Sequence, residues 1–356
     1  MPALLATIAA SAFPATAYAD AVRDQQWHLE FLHIAEAQRI SQGEGVLVAV
    51  ADSGVDAQAP ELASAVVPGK DFGGGSSDGR NDTVGHGTAM AGLIAGRGRG
   101  ADDGVLGIAP KATILPIQVA KYLDLGGYPK DLAAGIDYAV SRGAKVICIS
   151  LGTSEADEVK MAIKKAFAAD VVIVAAAGNK PAVGSVDFPA RMPGVVAVGA
   201  VDRHGERASV SVAGPEMVLT APGVDMVTTD VGGKTHVGTG TSDANAVVAG
   251  VVALVRAKYP ALSAAEVVRR LTLTAQDKGE PGRDPVYGFG IVDPVKALTA
   301  EVPPLPSSAA PQTSAPGEGG GGADSVAVIA AVGAAAVVVV FLAVLQTIIR
   351  SRRRRG

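Results

Sequence analysis

The stretch GTGTSDANAVVAGVVALVRAKY runs from Gly238 to Tyr259 and changes character at Ser242. Small, flexible residues precede this serine, and an apolar run with a single glycine, Gly250, follows it. The pattern predicts a buried helix from Ser242 to Lys258 with the serine hydroxyl at its N-terminus. Unpaired backbone N–H groups and the positive end of the helix dipole lie at such a terminus, so the position favours a nucleophile whose reaction develops negative charge.

A serine hydroxyl is a weak nucleophile at neutral pH and needs a general base and a group that orients the base. Asp52 ends an apolar strand in VAVADSGVD, and His86 opens a helix in NDTVGHGTAMAGLIAG. Each has an ordinary structural explanation by itself, because an aspartate often caps a strand and a histidine among glycines is often a loop residue. Asp52, His86 and Ser242 together are a candidate catalytic set.

Apolar, β-rich runs alternate with helix-like stretches between residues 45 and 275. The runs are continuously apolar, which is typical of strands buried on both faces in a parallel sheet covered by helices. We therefore predict an α/β catalytic domain over residues 46–300, with a mostly parallel central sheet and functional groups at the carboxyl ends of its strands. The predicted helices are His86–Ala95, Asp131–Ser141, Glu155–Ala169, Ser242–Lys258 and Ala264–Ala275.

The N-terminal residues have the composition of an export signal. Residues 1–19 are small and apolar and end on Ala17-Tyr18-Ala19, the A-x-A form of a signal-peptidase site, although no Lys or Arg precedes it. A membrane anchor or a disordered leader is the alternative. We expect residues 20–45 to pack on the catalytic domain through Trp27 and Leu29, with a flexible spacer as the alternative.

The C-terminal residues predict a membrane anchor. A Pro/Gly-rich linker over residues 301–325 leads to an uncharged apolar segment at 326–349, long enough to be a transmembrane helix. Residues 350–356 contain five arginines. The positive-inside rule makes this tail cytoplasmic and the catalytic domain extracytoplasmic. A buried core helix is the alternative, but such a helix seldom adjoins so basic a tail.

Composition argues against several classes of function. Five of the 31 basic residues lie in the C-terminal tail, so the remainder of the chain is acidic and we expect no nucleic-acid partner. Cys148 is the one cysteine, which allows no internal disulfide, and its apolar surroundings predict a buried thiol. The five histidines show neither an HExxH motif nor paired-ligand spacing, which argues against a metalloenzyme. No loop dense in Asp and Asn predicts a calcium site, and we expect no cofactor.

The segments DSGVD, GHGTAMAG and GTSDANAVVAG resemble the three active-site motifs of the subtilisin-like serine proteases, in the same chain order of Asp, His and Ser. GIAP at Gly107, SLG at Ser150 and AAAGN ending at Asn179 extend the resemblance over about residues 46–295. It implies a subtilisin-like three-layer fold and an endopeptidase that acts on protein or peptide substrates.

The resemblance also implies residue roles. Ser242 would attack the scissile carbonyl, His86 would take and return the proton, and Asp52 would orient the imidazole. Asn179 would donate its side-chain amide to the oxyanion. Extended peptide substrates would pair with two segments, Gly126-Gly127 and Ser150-Leu151-Gly152.

A second resemblance concerns the mycosins, the membrane-anchored subtilases of actinobacterial type VII secretion systems. It rests on the short leader, the QQWHL segment, alanine after GHGT, and the linker, apolar segment and arginine tail. It implies a single-pass cell-membrane protein with type VII secretion membrane components as partners. The chain departs from the family pattern at Ala246, where proline is usual, at Ala89, where many members have histidine, and in lacking disulfides.

Two other functions compete with proteolysis. The first is a subtilase-fold scaffold that stabilises a membrane secretion complex, with proteolysis secondary or lost. The intact candidate residues argue for activity instead. The second is a non-peptidase serine hydrolase, which the order Asp, His, Ser disfavours because esterase folds place the serine first.

Overall fold

The computed structural model describes residues 20–100, 103–120, 128–303 and 305. The chain separates into two units, Met1–Leu305 and Pro306–Gly356, and all described residues belong to the first. The predicted signal peptide, transmembrane segment and arginine tail therefore lie outside the described residues, as does nearly all of the predicted linker. No helix within the described ranges is long and apolar enough to cross a membrane.

In the described part of the chain, seven parallel strands form the central sheet in the order β2-β3-β1-β4-β5-β6-β7. After β1 the chain adds β2 and β3 on one side of this strand and then β4 to β7 on the other side. A crevice is expected where the direction of strand addition changes, which is at the carboxyl ends of β1 and its neighbour β4. Asp52 at the end of β1 pairs with Gln118 at the end of β3. The strands are β1 Leu47–Asp52, β2 Lys70–Asp71, β3 Thr113–Gln118, β4 Val146–Ile149, β5 Val172–Ala176, β6 Val196–Val201 and β7 Leu219–Pro222.

Helices cover both faces of this sheet, which confirms the predicted three-layer α/β fold. Val48 and Val50 of β1 join one core cluster with α4 and α7, whereas Ala49 and Ala51 join the opposite cluster with α5 and α6. The helices are α1 Asp20–Gln25, α2 Trp27–Phe31, α3 Ile34–Ile40, α4 His86–Ala95, α5 Pro129–Ser141, α6 Asp157–Ala168, α7 Thr241–Lys258, α8 Ala264–Thr274 and α9 Pro294–Thr299. A separate antiparallel ribbon consists of β8 Met226–Thr229 and β9 Thr235–Gly238.

Helix α7 runs through the core and brings Ser242 to the carboxyl edge of the sheet. Nearly all of its residues are buried, as the apolar run in its sequence predicts. It approaches the segment before β3 so closely that a Cβ at Gly250 would lie 2.6 Å from Cβ of Ile108. Glycine is therefore required at this contact, and α7 is held in place along its length.

The N-terminal helices α1 to α3 lie against the body of the same unit. The Trp27 indole N–H donates to the Val224 carbonyl at 3.0 Å, and both Trp27 and Leu29 pack against the core. The Gln26 side chain donates to the Leu106 carbonyl at 3.1 Å and accepts from the Leu106 amide at 2.9 Å. Hydrogen bonds and apolar contacts thus connect this segment to the loop before β3 and to the start of the β-ribbon.

Candidate active site

The candidate residues converge on one cleft at the carboxyl edge of the sheet. Asp52 is the last residue of β1, Ser150 follows β4, and Asn179 follows β5 by three positions. Parallel strands direct these ends to one edge, where α4 contributes His86 and α7 contributes Ser242. Gly126 and Gly127 lie outside the described residues.

Two pockets open on either side of the central residues His86, Asn179 and Ser242, which line both. The strand-side pocket is formed by the segments that follow β4 and β5, and its further lining residues include Ser150, Leu151, Gly152, Ser154, Gly178 and Asp187. The α4-side pocket is formed by the start of α4 and the β-ribbon, and its further lining residues include Val84, Gly85, Asp230, His236 and Asp243.

Asp52 and His86 form a hydrogen-bonded pair. The His86 Nδ1 atom lies 2.8 Å from Oδ1 and 2.9 Å from Oδ2 of the fully buried Asp52 carboxylate. Burial by itself would lower the pKa of His86, but the charge of Asp52 and its hydrogen bond outweigh burial and raise this pKa to about 9. The carboxylate thereby fixes a proton on Nδ1 and leaves Nε2 for the cleft.

Asp82 fixes the turn that places His86 at the start of α4. Its Oδ1 accepts from the Val84 and Gly85 amides, both at 2.9 Å, and its Oδ2 accepts from the Thr88 hydroxyl at 2.7 Å. Gly85 has a φ of +96°, which favours glycine. Our sequence prediction missed Asp82, although an aspartate just before a predicted helix is a recognised start signal.

Ser242 is the second residue of α7, near the helix N-terminus as predicted. Its hydroxyl donates to the Ser150 carbonyl at 3.3 Å. Within the described residues no hydrogen bond joins Ser242 to His86, although both line the same two pockets. Catalytic hydrogen bonds are often long or misaligned in a free enzyme and tighten when substrate binds, so this arrangement is compatible with a nucleophile.

Asn179 is oriented by the first residue of α7. Its Oδ1 accepts from the Thr241 amide at 2.9 Å, and the Thr241 hydroxyl accepts from the Gly178 amide at 3.1 Å. These contacts fix the side-chain amide with its oxygen toward the helix, so the Nδ2 donor is left for the cleft. The sequence prediction did not identify Thr241 as the residue that orients this amide.

Asn245 ties α7 to the end of β4 beneath the cleft. Its Nδ2 donates to Cys148 Sγ at 3.2 Å, to the Ile149 carbonyl at 3.1 Å and to Ser150 Oγ at 3.0 Å. Cys148 is a free, buried thiol, as predicted, and burial raises its pKa to about 12. The thiol is therefore protonated at neutral pH and contributes to packing.

Asp243 places a second carboxylate beside His86, and our sequence prediction missed it. The residue is 5% exposed and lines the α4-side pocket. Burial raises the pKa of Asp243 to about 7, against the opposing effects of His86 and of its own backbone amide. Its negative charge also acts to raise the pKa of His86. Within the described residues, no group of His, Cys, Asp and Glu side chains is arranged to hold a metal ion.

Comparison with known proteins identifies the family. The sequence profile of the subtilase family matches residues 43–290, which include Asp52, His86, Asn179 and Ser242. The chain belongs to the subtilase family. It is a serine endopeptidase of the subtilisin type, as predicted from its motifs.

This subtilase is similar both to subtilisins and to mycosins. It is 38% identical over 270 residues to the thermostable alkaline protease of Halalkalibacterium halodurans, an alignment that covers 75% of this chain and 71% of that protein. It is 31% identical over 342 residues to mycosin-1 of Mycolicibacterium smegmatis, which covers 80% of this chain and 75% of that protein. Among solved structures, the MycP3 protease from the type VII (ESX-3) secretion system has a TM-score of 0.67 and 34% identity, covering 77% of this chain and 88% of that one.

Proposed function

We propose that this subtilase hydrolyses peptide bonds with Ser242 as nucleophile, His86 as general base and Asp52 as the group that orients the base. The hydrogen bond between His86 Nδ1 and the buried Asp52 carboxylate carries the proposal, because it fixes the imidazole tautomer that accepts a proton at Nε2. The buried carboxylate also stabilises the imidazolium that forms when that proton is taken.

The reaction proceeds in two halves. On substrate binding the Ser242 hydroxyl turns from the Ser150 carbonyl toward His86, and its oxygen attacks the scissile carbonyl carbon while the proton passes to Nε2. His86 then gives this proton to the leaving amine, and the C–N bond breaks to leave an acyl-enzyme on Ser242. A water molecule, deprotonated by His86, attacks the ester and releases the acid, and the proton returns to Ser242.

The oxyanion of each tetrahedral intermediate accepts a hydrogen bond from Nδ2 of Asn179. The backbone N–H groups at the start of α7 provide further positive potential at the same place. The segment Ser150-Leu151-Gly152 lines the strand-side pocket and offers backbone groups for pairing with an extended peptide. Gly126-Gly127 is proposed as the second pairing segment on the resemblance alone.

The protein acts outside the cytoplasm, anchored by the segment at 326–349 with the arginine tail inside. The similarity to mycosin-1 and to a MycP3 protease of a type VII secretion system supports a role linked to type VII protein secretion. Its partners there are membrane components of the secretion apparatus, and its substrates are proteins or peptides.

A fluorophosphonate probe tests the triad, because covalent labelling needs an activated serine and no knowledge of the substrate. We expect the full chain in detergent to be labelled, and Ser242→Ala and His86→Ala variants to remain unlabelled. Folded wild-type protein that resists the probe would refute the proposed mechanism.

Secretion assays separate catalysis from scaffolding. If catalysis is the essential role, Ser242→Ala and deletion of the whole protein impair secretion equally. If Ser242→Ala preserves secretion that deletion abolishes, the essential role is that of a scaffold for the secretion complex.

A further inference from the structure

Asp187 brings a carboxylate into the strand-side pocket next to the proposed nucleophile. Its backbone is held at both sides, since its amide donates to the Ala177 carbonyl at 2.8 Å and its carbonyl accepts from the Arg191 amide at 2.9 Å. The carboxylate lies against Gly152, where an added Cβ would be 2.1 Å from Asp187 Oδ2. The missing side chain at Gly152 therefore makes room for this carboxylate within the pocket.

The Asp187 carboxylate has no cationic partner among the described residues. Its Oδ1 accepts from the Phe188 amide at 2.8 Å, and no described residue donates to its Oδ2. The nearest arginine in sequence, Arg191, instead forms an ion pair with Glu155 at 2.8 Å. No described lysine or arginine lines the strand-side pocket, so a half-buried negative charge is left for a ligand.

The position of the Asp187 carboxylate relative to His86 determines which part of a bound peptide it would contact. His86 must reach the leaving nitrogen, so the residues after the scissile bond extend toward the start of α4 and the α4-side pocket. The residue that carries the attacked carbonyl lies on the other side of Ser242. The side chain of that residue, directly before the scissile bond, therefore enters the strand-side pocket, where Asp187 lies.

Resting on the proposed function, we infer that Asp187 selects substrates with lysine or arginine immediately before the scissile bond. An ammonium or guanidinium group in this pocket meets a carboxylate that is fixed, partly desolvated and otherwise unpaired. Such a charge pair discriminates against a neutral side chain because a neutral side chain in the pocket would leave the half-buried carboxylate without a partner.

Two assays with the full chain in detergent measure this preference. A proteome-derived peptide library prepared with a glutamate-specific protease keeps lysine and arginine inside the peptides, and mass spectrometry of the cleavage products reads the residue before each cut. Peptidyl coumarylamides ending in lysine, arginine, norleucine or glutamate then share one leaving group, so their kcat/KM values differ only through the acyl half. We expect lysine and arginine to exceed norleucine by about ten- to hundredfold.

Substitutions assign the preference to Asp187. Asp187→Asn keeps the acceptor for the Phe188 amide and should bring the ratio of lysine to norleucine close to one. Asp187→Lys should reverse the preference toward glutamate. As a matched control, Asp157→Asn removes a carboxylate whose side chain is 91% exposed on α6 and should leave the ratio unchanged.

The outcomes separate this inference from the proposed mechanism. Wild-type protein that is labelled by the fluorophosphonate but cleaves lysine and norleucine substrates equally would overturn the role of Asp187 while leaving the triad in place. Wild-type protein without labelling would overturn the mechanism itself. A preference for lysine that persists in both Asp187 variants, folded as judged by thermal melts, would assign the preference to another residue and overturn the inference.

Discussion

The Thr241 amide, the first of helix α7, donates to the side-chain oxygen of Asn179 at 2.9 Å. One peptide group thus sets which end of the Asn179 amide faces the cleft. Since Thr241 is adjacent to Ser242, the same helix terminus positions both the proposed nucleophile and the proposed oxyanion donor. A displacement of the start of α7 would therefore disturb both groups together.

Asn179→Leu removes the proposed oxyanion donor while keeping a side chain of similar size. We expect kcat to fall by about 10² to 10³ fold with KM nearly unchanged, because the hydrogen bond forms only with the tetrahedral intermediate. Steady-state kinetics on a peptide coumarylamide give both constants. Wild-type kcat in the folded variant would exclude Asn179 from the oxyanion site.

This protease should be most active at alkaline pH. The proposed general base, His86, can accept a proton only when it is neutral. Its pKa is raised to about 9, so kcat/KM for an uncharged substrate should rise with pH up to that value. The charge of Asp243 contributes to the raised pKa, together with Asp52 and Asp82. Asp243→Asn should therefore move the profile to lower pH, whereas the exposed control Asp157→Asn should not. Superimposable profiles for wild type and Asp243→Asn would contradict this coupling.

The sequence predicted secondary structure well where the local backbone geometry dictates the spacing of apolar residues. The predicted bounds of α4 match the structure, and α7 begins one residue before its predicted start. Continuous apolar runs predicted five strands of the sheet, which are β1, β3, β4, β5 and β6. The sequence did not reveal β2, which has only two residues, or β7, β8 and β9, which contain threonine and no continuous apolar run.

The sequence was less informative where distant segments meet. Asp187 is an ordinary loop aspartate until the fold brings it against Gly152, and its chemical meaning depends on that contact. Asn245 is a polar residue in an apolar helix, and only the position of β4 shows what it binds. Motif resemblance predicted the reacting groups that we propose, whereas the residues that contact and support them could be recognised only in the tertiary structure.

Gly87→Ala should impair both folding and activity. A Cβ at this position would lie 2.0 Å from the Gly54 carbonyl oxygen, so α4 would have to move away from the loop after β1. His86 is the preceding residue, and its hydrogen bond to Asp52 would lengthen. We expect a lower melting temperature and kcat reduced by at least about tenfold. Gly184→Ala is the control, because nothing lies within 4 Å of an added Cβ there.

Asn245→Ala should destabilise the domain by about 2–4 kcal/mol, because the Ile149 carbonyl and the Ser150 hydroxyl would lose a donor in a buried site and a cavity would form. Urea unfolding measures the loss. Asn81→Ala, at an exposed position, should change stability by less than about 0.5 kcal/mol. Equal stabilities for the two variants would show that the buried amide does not support the cleft.

His28 on α2 is fully buried, and neither of its ring nitrogens has a hydrogen-bond partner among the described residues. Burial lowers its pKa from 6.5 to about 3. Between these two values the unfolded chain binds a proton that the folded chain does not. His28 therefore does not lower the free energy of unfolding above pH 6.5. As the pH falls below 6.5, proton uptake by His28 in the unfolded chain lowers this free energy by up to about 1.4 kcal/mol per pH unit.

His28→Leu should therefore raise the free energy of unfolding, and raise it more at pH 4.5 than at pH 7.5. The leucine removes two unpaired polar atoms, a gain at both pH values of about 1–3 kcal/mol, and it also removes the proton uptake that favours the unfolded chain in acid. Urea titrations of wild type and variant at the two pH values measure both effects. His204→Gln, at an exposed histidine, should reproduce neither. A gain in stability that is the same at both pH values would mean that His28 is paired or protonated in the folded protein, and that acid weakens the domain through other groups.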